Sequence, residues 1–287
     1  MRVISSMQLK EALRSAIARL TESSIGSPVM NAEMLMMFTL GCDRANLYAH
    51  PERELTSEEK SRYEEAIAGR ARGKPAQYIT GHQEFWGLDL LVSPEVLIPR
   101  PETEHLVETV LELAHALQQR SPKIIDVGTG SGCIALALAK ELPSARIAAV
   151  DISRGALELA RANAVRLQLE NRIQFYESDL LSGVDAGEGF DLVVSNPPYV
   201  GDSRSQEVEA QVRNFEPRVA VFAGASGIEV YRRLIPQARE VLDDGGWLVV
   251  EIGEGMEVAA RKLLEGWREV RVTNDLRWIP RVVAARK

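Results

Sequence analysis

The stretch that most constrains this chain is Asp126-Val-Gly128-Thr129-Gly130-Ser131-Gly132, set between an apolar run and an apolar-periodic segment. Ahead of it, Lys123-Ile-Ile-Asp-Val reads as a buried strand; behind it, residues 133–141 read as a helix. Glycines at alternate positions let the backbone turn sharply and let a ligand approach the peptide planes with no Cβ in the way. The helix N-terminus behind them favours an anionic group. A dinucleotide loop, G-x-G-x-x-G/A, wants Gly or Ala at position 133, where this chain has Cys133. The spacing is G-x-G-x-G instead, which suits the amino-acid end of S-adenosylmethionine better than a pyrophosphate. A tight turn that holds no ligand is the alternative at this point.

From about residue 99 the pattern alternates. A helix over 102–119 leads into the strand at 123, and a second strand, Arg146 to Asp151, follows the helix at 133–141. A helix at 154–167 precedes Ile173-Gln-Phe-Tyr-Glu, and then comes Phe190-Asp-Leu-Val-Val-Ser-Asn. A helix at 227–242, a strand from Gly246, a helix at 255–265 and two closing strands near 268–274 and 278–286 complete the run. Strands alternating with helices predict a parallel sheet covered on both faces. The short link between the closing strands requires one of them to run backwards. The expected fold is α/β: a doubly wound, seven-stranded, mostly parallel sheet with an antiparallel last strand.

Acids stand where such a sheet presents its ligand crevice. Asp151 ends the second strand, where a carboxylate accepts from two ribose hydroxyls; the alternative is a cap on the helix beginning at Ser153-Arg154. Asp179, after the third strand, can accept from an adenine amino group while Leu180 packs on the ring, or it is a solvated turn residue. The fourth strand ends in Ser195-Asn196-Pro197-Pro198-Tyr199, the most specific signature in the chain. An amide NH₂ is a weak nucleophile because its lone pair is delocalised, and no Cys, His or Lys base is evident beside the motif. The Asn196 side-chain oxygen and the Pro197 carbonyl can each accept one N–H, turning the nitrogen toward a methyl donor. The prolines restrict φ and hold that carbonyl, and Tyr199 offers a flat face to a planar group.

Residues 1–75 read as a small all-α domain: Leu9, Leu13, Ile17 and Leu20 repeat at helical spacing, as do Ala32, Leu35, Met36 and Leu40. Met30, Met34, Met36 and Met37 read as helical core, with a pliable surface as the alternative. Thr56-Ser-Glu-Glu reads as a helix start. Residues 76–98, with aromatic and aliphatic residues around Gly87, read as a β-hairpin connector, leaving 99–287 as the catalytic domain. No apolar run approaches the ~20 residues of a membrane helix. Neither Cys42 and Cys133 nor the four histidines have metal-ligand spacing, so no metal is expected and a reducing cytoplasm fits. The formal net charge is −7. Residues 1–75 carry 11 basic and 10 acidic side chains, which leaves 23 against 31 for the rest. Nucleic acid would want a basic face; only Arg70, Arg72 and Lys74 form a short basic cluster.

With Gly128 to Gly132 and Asn196-Pro-Pro-Tyr199 in this order, the chain resembles class I S-adenosylmethionine methyltransferases acting on planar NH₂ groups. Among these it resembles the release-factor glutamine methyltransferase family, often called HemK or PrmC, over nearly its whole length. Gln77-Tyr-Ile-Thr-Gly81, Phe85-Trp-Gly87, Ile98-Pro-Arg-Pro-Glu-Thr-Glu104 and Asn214-Phe-Glu-Pro-Arg-Val-Ala-Val-Phe, with Gly224 and Gly227, are similar to that family's segments. The resemblance implies methylation of N5 of the glutamine in the Gly-Gly-Gln motif of class 1 peptide-chain release factors, hence a role in translation termination. It implies that Gly128, Thr129, Gly130, Ser131, Gly132, Asp151, Asp179 and Leu180 frame the cofactor, and that Asn196 touches cofactor and substrate. The Arg100 to Glu104 segment lines the same cleft, or its acids stand at a helix N-terminus. Two departures stand out: Leu180 replaces an aromatic found in some members, and Trp278 interrupts a closing segment that is often Gly-rich. The alternatives are an N6-adenine nucleic-acid methyltransferase, a ribosomal-protein glutamine methyltransferase, and a non-catalytic cofactor-binding protein, which an intact Asn196 to Tyr199 motif disfavours.

Overall fold

A computed structural model describes residues 7–117, 121–185, 187 and 189–287. Two compact units emerge. One comprises the chain to Gly81 together with Ala210–Phe215; the other comprises His82–Glu209 and Glu216–Lys287.

The first unit is helical. Its helices are α1 (Leu9–Glu22), α2 (Pro28–Leu40), α3 (Arg44–Ala49), α4 (Ser57–Ala71) and α5 (Ala76–Thr80). Thr56 caps α4 in a reciprocal box with Glu59, the start the sequence announces. Gly41 ends α2 at φ 61°, a left-handed turn that glycine adopts without a Cβ penalty. Leu9, Leu20, Leu35, Met36 and Tyr63 close the core. The methionines divide: Met36 is buried, whereas Met30 is half exposed. Arg70 is not part of a basic surface cluster; it is buried, and its guanidinium donates to Asn31 Oδ1 (2.7 Å), the Lys74 carbonyl (3.1 Å) and Gln211 Oε1 (3.1 Å). The last bond ties the distant segment Ala210–Phe215 into this unit.

In the second unit, strands β3 (His82–Phe85) and β4 (Leu88–Leu91) form a hairpin whose two-residue turn, Trp86-Gly87, has positive φ at both positions (54° and 65°). That conformation matches the right-handed twist of the flanking strands. (The pair Met7–Gln8 and Glu54–Leu55, β1 and β2, belongs to the helical unit.) The hairpin thus occupies 82–91, while 76–80 is helical. The expected helix at 102–119 begins with a 3₁₀ turn, Pro101–Thr103, and continues as α6 (Glu104–Ala116); residues 118 and 119 lie outside the described residues. There follow β5 (Lys123–Val127), α7 (Cys133–Glu141), β6 (Arg146–Asp151), α8 (Arg154–Arg166), β7 (Ile173–Glu177), β8 (Phe190–Ser195), β9 (Val200–Gly201), β10 (Phe222–Gly224), β11 (Leu242–Glu251), β12 (Glu269–Asn274) and β13 (Pro280–Arg286).

The main sheet has the order β12-β13-β11-β8-β5-β6-β7. Strands β11, β8, β5, β6 and β7 pair in parallel; β13 runs antiparallel to both its neighbours. The doubly wound seven-stranded sheet with a reversed last strand is therefore present, and the reversed strand lies one place in from the edge. Side chains alternate across it. Ile124, Ile147, Leu192, Val194 and Val249 pack beneath α6 and α7, while Ile125, Val150, Val193, Leu248 and Val250 pack against Tyr231, Leu234 and Ala238 of the helix Glu229–Val241. With both faces covered, strands read as unbroken apolar runs. The carboxyl ends of β5, β6 and β8 meet at one edge, where the order reverses between β5 and β8.

Candidate functional site

At that edge lies a cavity of about 260 Å³. The loop from β5 to α7 forms its floor. Gly128 and Thr129 both donate to the Val150 carbonyl (2.8 and 3.0 Å), and Thr129 Oγ1 donates to Asp126 Oδ2 at 2.7 Å. Gly128 and Gly130 have φ of 74° and 56°, and a Cβ built on either would meet nothing within 4 Å, so both backbones face open space. Thr129 and Ser131 complete the wall. Ser131 Oγ is buried there without a hydrogen-bond partner among the described residues. These features fit a ligand whose polar end rests on the loop, as S-adenosylmethionine would.

Gly132 is not brought to the cavity. Its φ is 84°, and a Cβ there would stand 3.1 Å from Leu136 Cδ1 and 3.2 Å from Ala160 Cβ, so this glycine serves the packing of α7 on α8. Asp151 lines the cavity. Its Oδ2 accepts from Gly130 N–H (2.9 Å) and its Oδ1 from Ser153 N–H (2.8 Å), so the loop and the start of α8 are joined through one carboxylate. Ser153 itself caps the helix. Burial holds the Asp151 carboxyl above its ordinary pKa despite these donors. Asp179 and Leu180 also line the wall. Asp179 Oδ2 accepts from Arg233 at 2.5 Å, leaving Oδ1 for a further donor. Leu180 has φ 54°, a strained turn that turns an apolar side chain to the cavity, where Ile152 and Phe222 add further apolar surface.

Asn196 and Pro198 reach the same cavity from the end of β8. Pro197 is buried and is not part of the wall. Tyr199 faces elsewhere. It lines a second cavity of about 220 Å³ with Gly253, Met256 and Arg281, because Gly253 leaves room for the ring: a Cβ at 253 would stand 2.8 Å from Tyr199 Cδ2. Burial, with Glu251 nearby, pushes the Tyr199 hydroxyl up to about 12. The chain after the motif is pinned by Gly227, φ 88°, where a Cβ would stand 2.5 Å from the Tyr199 carbonyl. Cys133 also lines the first cavity, and burial pushes its thiol up to about 12, so it is neither base nor nucleophile at neutral pH.

The Arg100 to Glu104 stretch divides by residue. Arg100 pairs with buried Glu216 at 2.5 Å, and Glu216 also accepts from Ile98 N–H (3.1 Å). Glu104 is turned to the hairpin, accepting from Trp86 N–H at 2.8 Å. Thr103 faces Asn196: Asn196 Nδ2 donates to Thr103 Oγ1 (3.1 Å), which donates to Glu251 Oε2 (2.7 Å). Among the described residues no group of His, Cys, Asp and Glu is arranged to hold a metal ion.

Residues 11–81 match the PrmC N-terminal domain family, and residues 105–215 match the methyltransferase small domain family. A release factor glutamine methyltransferase of Koribacter versatilis is 53% identical over 281 residues, covering 98% of this chain and 99% of that protein. The chain belongs to the release factor glutamine methyltransferase family. Family members from Chlorobaculum tepidum and Rhodopirellula baltica are 42% and 37% identical, over 92% and 91% of this chain and 92% and 90% of their own. Among solved structures, the catalytic domain of hMettl16 superposes with a TM-score of 0.56 at 18% identity, covering 82% of this chain and 84% of its own. A T. Thermophilus 16S rRNA methyltransferase (RsmC), solved with AdoMet and guanosine, gives 0.51 at 18% identity, over 72% of this chain and 49% of its own. At such identities the likeness speaks for the fold alone. Behind the cavity wall, Glu251 on Thr103 and Glu216 on Arg100 are the residues that sequence reading misses. A carboxylate closing the apolar run Leu248-Val-Val-Glu251 was the available signal for the first.

Proposed function

We propose that this chain, a methyltransferase that uses S-adenosylmethionine, transfers the methyl group to N5 of the glutamine side chain in the Gly-Gly-Gln motif of class 1 peptide-chain release factors. The observation that carries the reading is Asn196 on the wall of a cavity that Gly128, Gly130 and Asp151 also line, in a chain 53% identical to a release factor glutamine methyltransferase.

The bound cofactor supplies an electrophilic methyl on sulfonium sulfur. The chain supplies position. Gly128 to Ser131 would receive the amino-acid end, Asp151 would accept from the ribose hydroxyls, and the free oxygen of Asp179 would accept from the adenine amino group, with Leu180 and Phe222 offering apolar surface. Asn196 Oδ1 and the Pro197 carbonyl each accept one N–H of the substrate amide, directing the nitrogen lone pair along the line of transfer. Holding the reacting atoms ~3–3.5 Å apart and in line supplies several kcal/mol of the barrier. No base is required, because the proton leaves after the methyl has arrived. The helical unit grips the body of the release factor, and the charge of residues 76–287 disfavours a stable nucleic-acid partner. No described helix is long and apolar enough to cross a membrane, and a substrate of the translation apparatus points to the cytoplasm.

Incubation with methyl-labelled S-adenosylmethionine and an unmodified class 1 release factor, read by mass spectrometry of the Gly-Gly-Gln peptide, tests this. One added methyl on that glutamine, reduced at least 100-fold in rate by Asn196→Ala, is the expected result. Label arriving instead in a duplex DNA or a ribosomal protein run alongside would keep the chemistry and overturn the substrate.

A further inference from the structure

Asn196 can accept a substrate N–H only if its amide is turned the right way, and its oxygen and nitrogen ends are nearly the same shape. Something must distinguish them. Thr103 and Glu251 lie behind it, each 2% exposed, and are joined in sequence to nothing near the motif: the Thr103–Glu251 bond spans 148 residues and the Asn196–Thr103 bond 93.

We propose that Thr103, backed by Glu251, is a positioning pair that fixes the Asn196 amide with its oxygen toward the substrate nitrogen. The inference rests on the glutamine-methylating reading above. A threonine hydroxyl has a single proton, and a carboxylate can only accept. With Glu251 ionised, as it is above pH about 7, its Oε2 takes that proton at 2.7 Å, so toward Asn196 the hydroxyl can only accept, and the amide NH₂ must face it. Oδ1 is thereby left to the substrate. With the carboxylate replaced by an amide whose NH₂ end donates to the hydroxyl, the hydroxyl proton is free to turn to Asn196. Oδ1 then rotates inward to accept it, and an NH₂ meets the substrate NH₂, donor against donor.

The surroundings hold Glu251 to this task. Tyr231 Oη donates to the Glu251 carbonyl at 2.6 Å, anchoring the strand end. Burial opposes the ionised form; the Arg281 and Arg100 guanidiniums and the Thr103 hydroxyl favour it, and Glu102 opposes it. The Tyr199 and Tyr231 hydroxyls and the Cys133 thiol, which also sense this carboxylate, are all shifted upward and stay neutral. Once ionised, Glu251 is therefore the acceptor of the set.

The test uses the full chain, an unmodified class 1 release factor, and Thr103→Val, Thr103→Ser and Glu251→Gln. Thr103→Val and Glu251→Gln should lower kcat about 10- to 100-fold, with KM for the release factor and Kd for S-adenosylmethionine within about threefold. Thr103→Ser, which keeps the hydroxyl, should restore most of the rate. Unchanged kcat in Thr103→Val, or a loss that Thr103→Ser does not relieve, overturns the pair. A second readout does not depend on turnover: the side-chain ¹⁵N amide signal of Asn196, identified by its loss in Asn196→Asp, should shift in both Thr103→Val and Glu251→Gln. A signal that stays put overturns the orientation even if wild-type enzyme proves inactive on release factors, an outcome that by itself sinks only the substrate reading.

Discussion

Asp151 meets the cavity with one backbone N–H already on each oxygen, so any ribose hydroxyl must share it with Gly130 or Ser153. Replacing it by Asn puts an NH₂ against one of those donors. Asp151→Asn should weaken S-adenosylmethionine binding about 10- to 100-fold by calorimetric titration; unaltered affinity would mean that the ribose rests elsewhere. Glu251 carries a pH signature of its own. Burial raises its carboxyl from 4.5 to about 7. The folded state then holds this proton more tightly than the unfolded chain, so stability falls as pH climbs from about 4.5 to 7 and levels off above. Asp126, raised from 3.8 to about 7 by burial, acts with the same sign. Glu251→Gln never ionises. Its melting temperature should decline less between pH 4.5 and 8 than that of the wild type, by an amount worth roughly 1–3 kcal/mol, while its turnover is slower. A slope equal to the wild type's would mean that Arg281 and Arg100 outweigh burial.

At the scale of elements, the strand-to-helix loop separates two uses of glycine that look alike in sequence. Gly130 faces open space at φ 56°, whereas Gly132 is wedged against Leu136 and Ala160 at φ 84°. Gly132→Ala should cost about 1–3 kcal/mol in stability through strain and overpacking and leave cofactor affinity nearly unchanged once folded. Gly130→Ala should carry the backbone strain alone and place its methyl in ligand space, raising the cofactor Kd by about tenfold. Melting curves and binding titrations on the pair separate these effects. The parallel strands were legible because burial on both faces writes them as unbroken apolar runs, and Gly128, Asp151 and Asn196 were legible because each stands just past such a run. Residues 76–80 were not legible: five residues of helix ending at Gly81 are too short for apolar periodicity to show. Nor was the pairing of Thr103 with Glu251, or of Arg100 with Glu216. No local pattern relates side chains that only the folded sheet makes neighbours.

For the whole molecule, the buried guanidinium of Arg70 is the point on which the helical unit's polar interior turns. Arg70→Met should remove about 2–4 kcal/mol from that unit, seen as lost hydrogen-exchange protection in α2 and α4, with protection in β5 and β8 retained. Equal loss in both units would mean that they unfold as one. Gln211 supplies one of the acceptors, from a segment that follows 128 residues after Gly81 in the chain. The recognisable N-terminal family stretch, residues 11–81, is therefore one helix short of the body it forms. Cutting the polypeptide after Gly81 would not release an intact module. It would leave a charged group buried with a partner missing, and the other fragment with an orphaned piece. A fragment that keeps the helical unit whole must carry residues 210–215 as well as the stretch to Gly81.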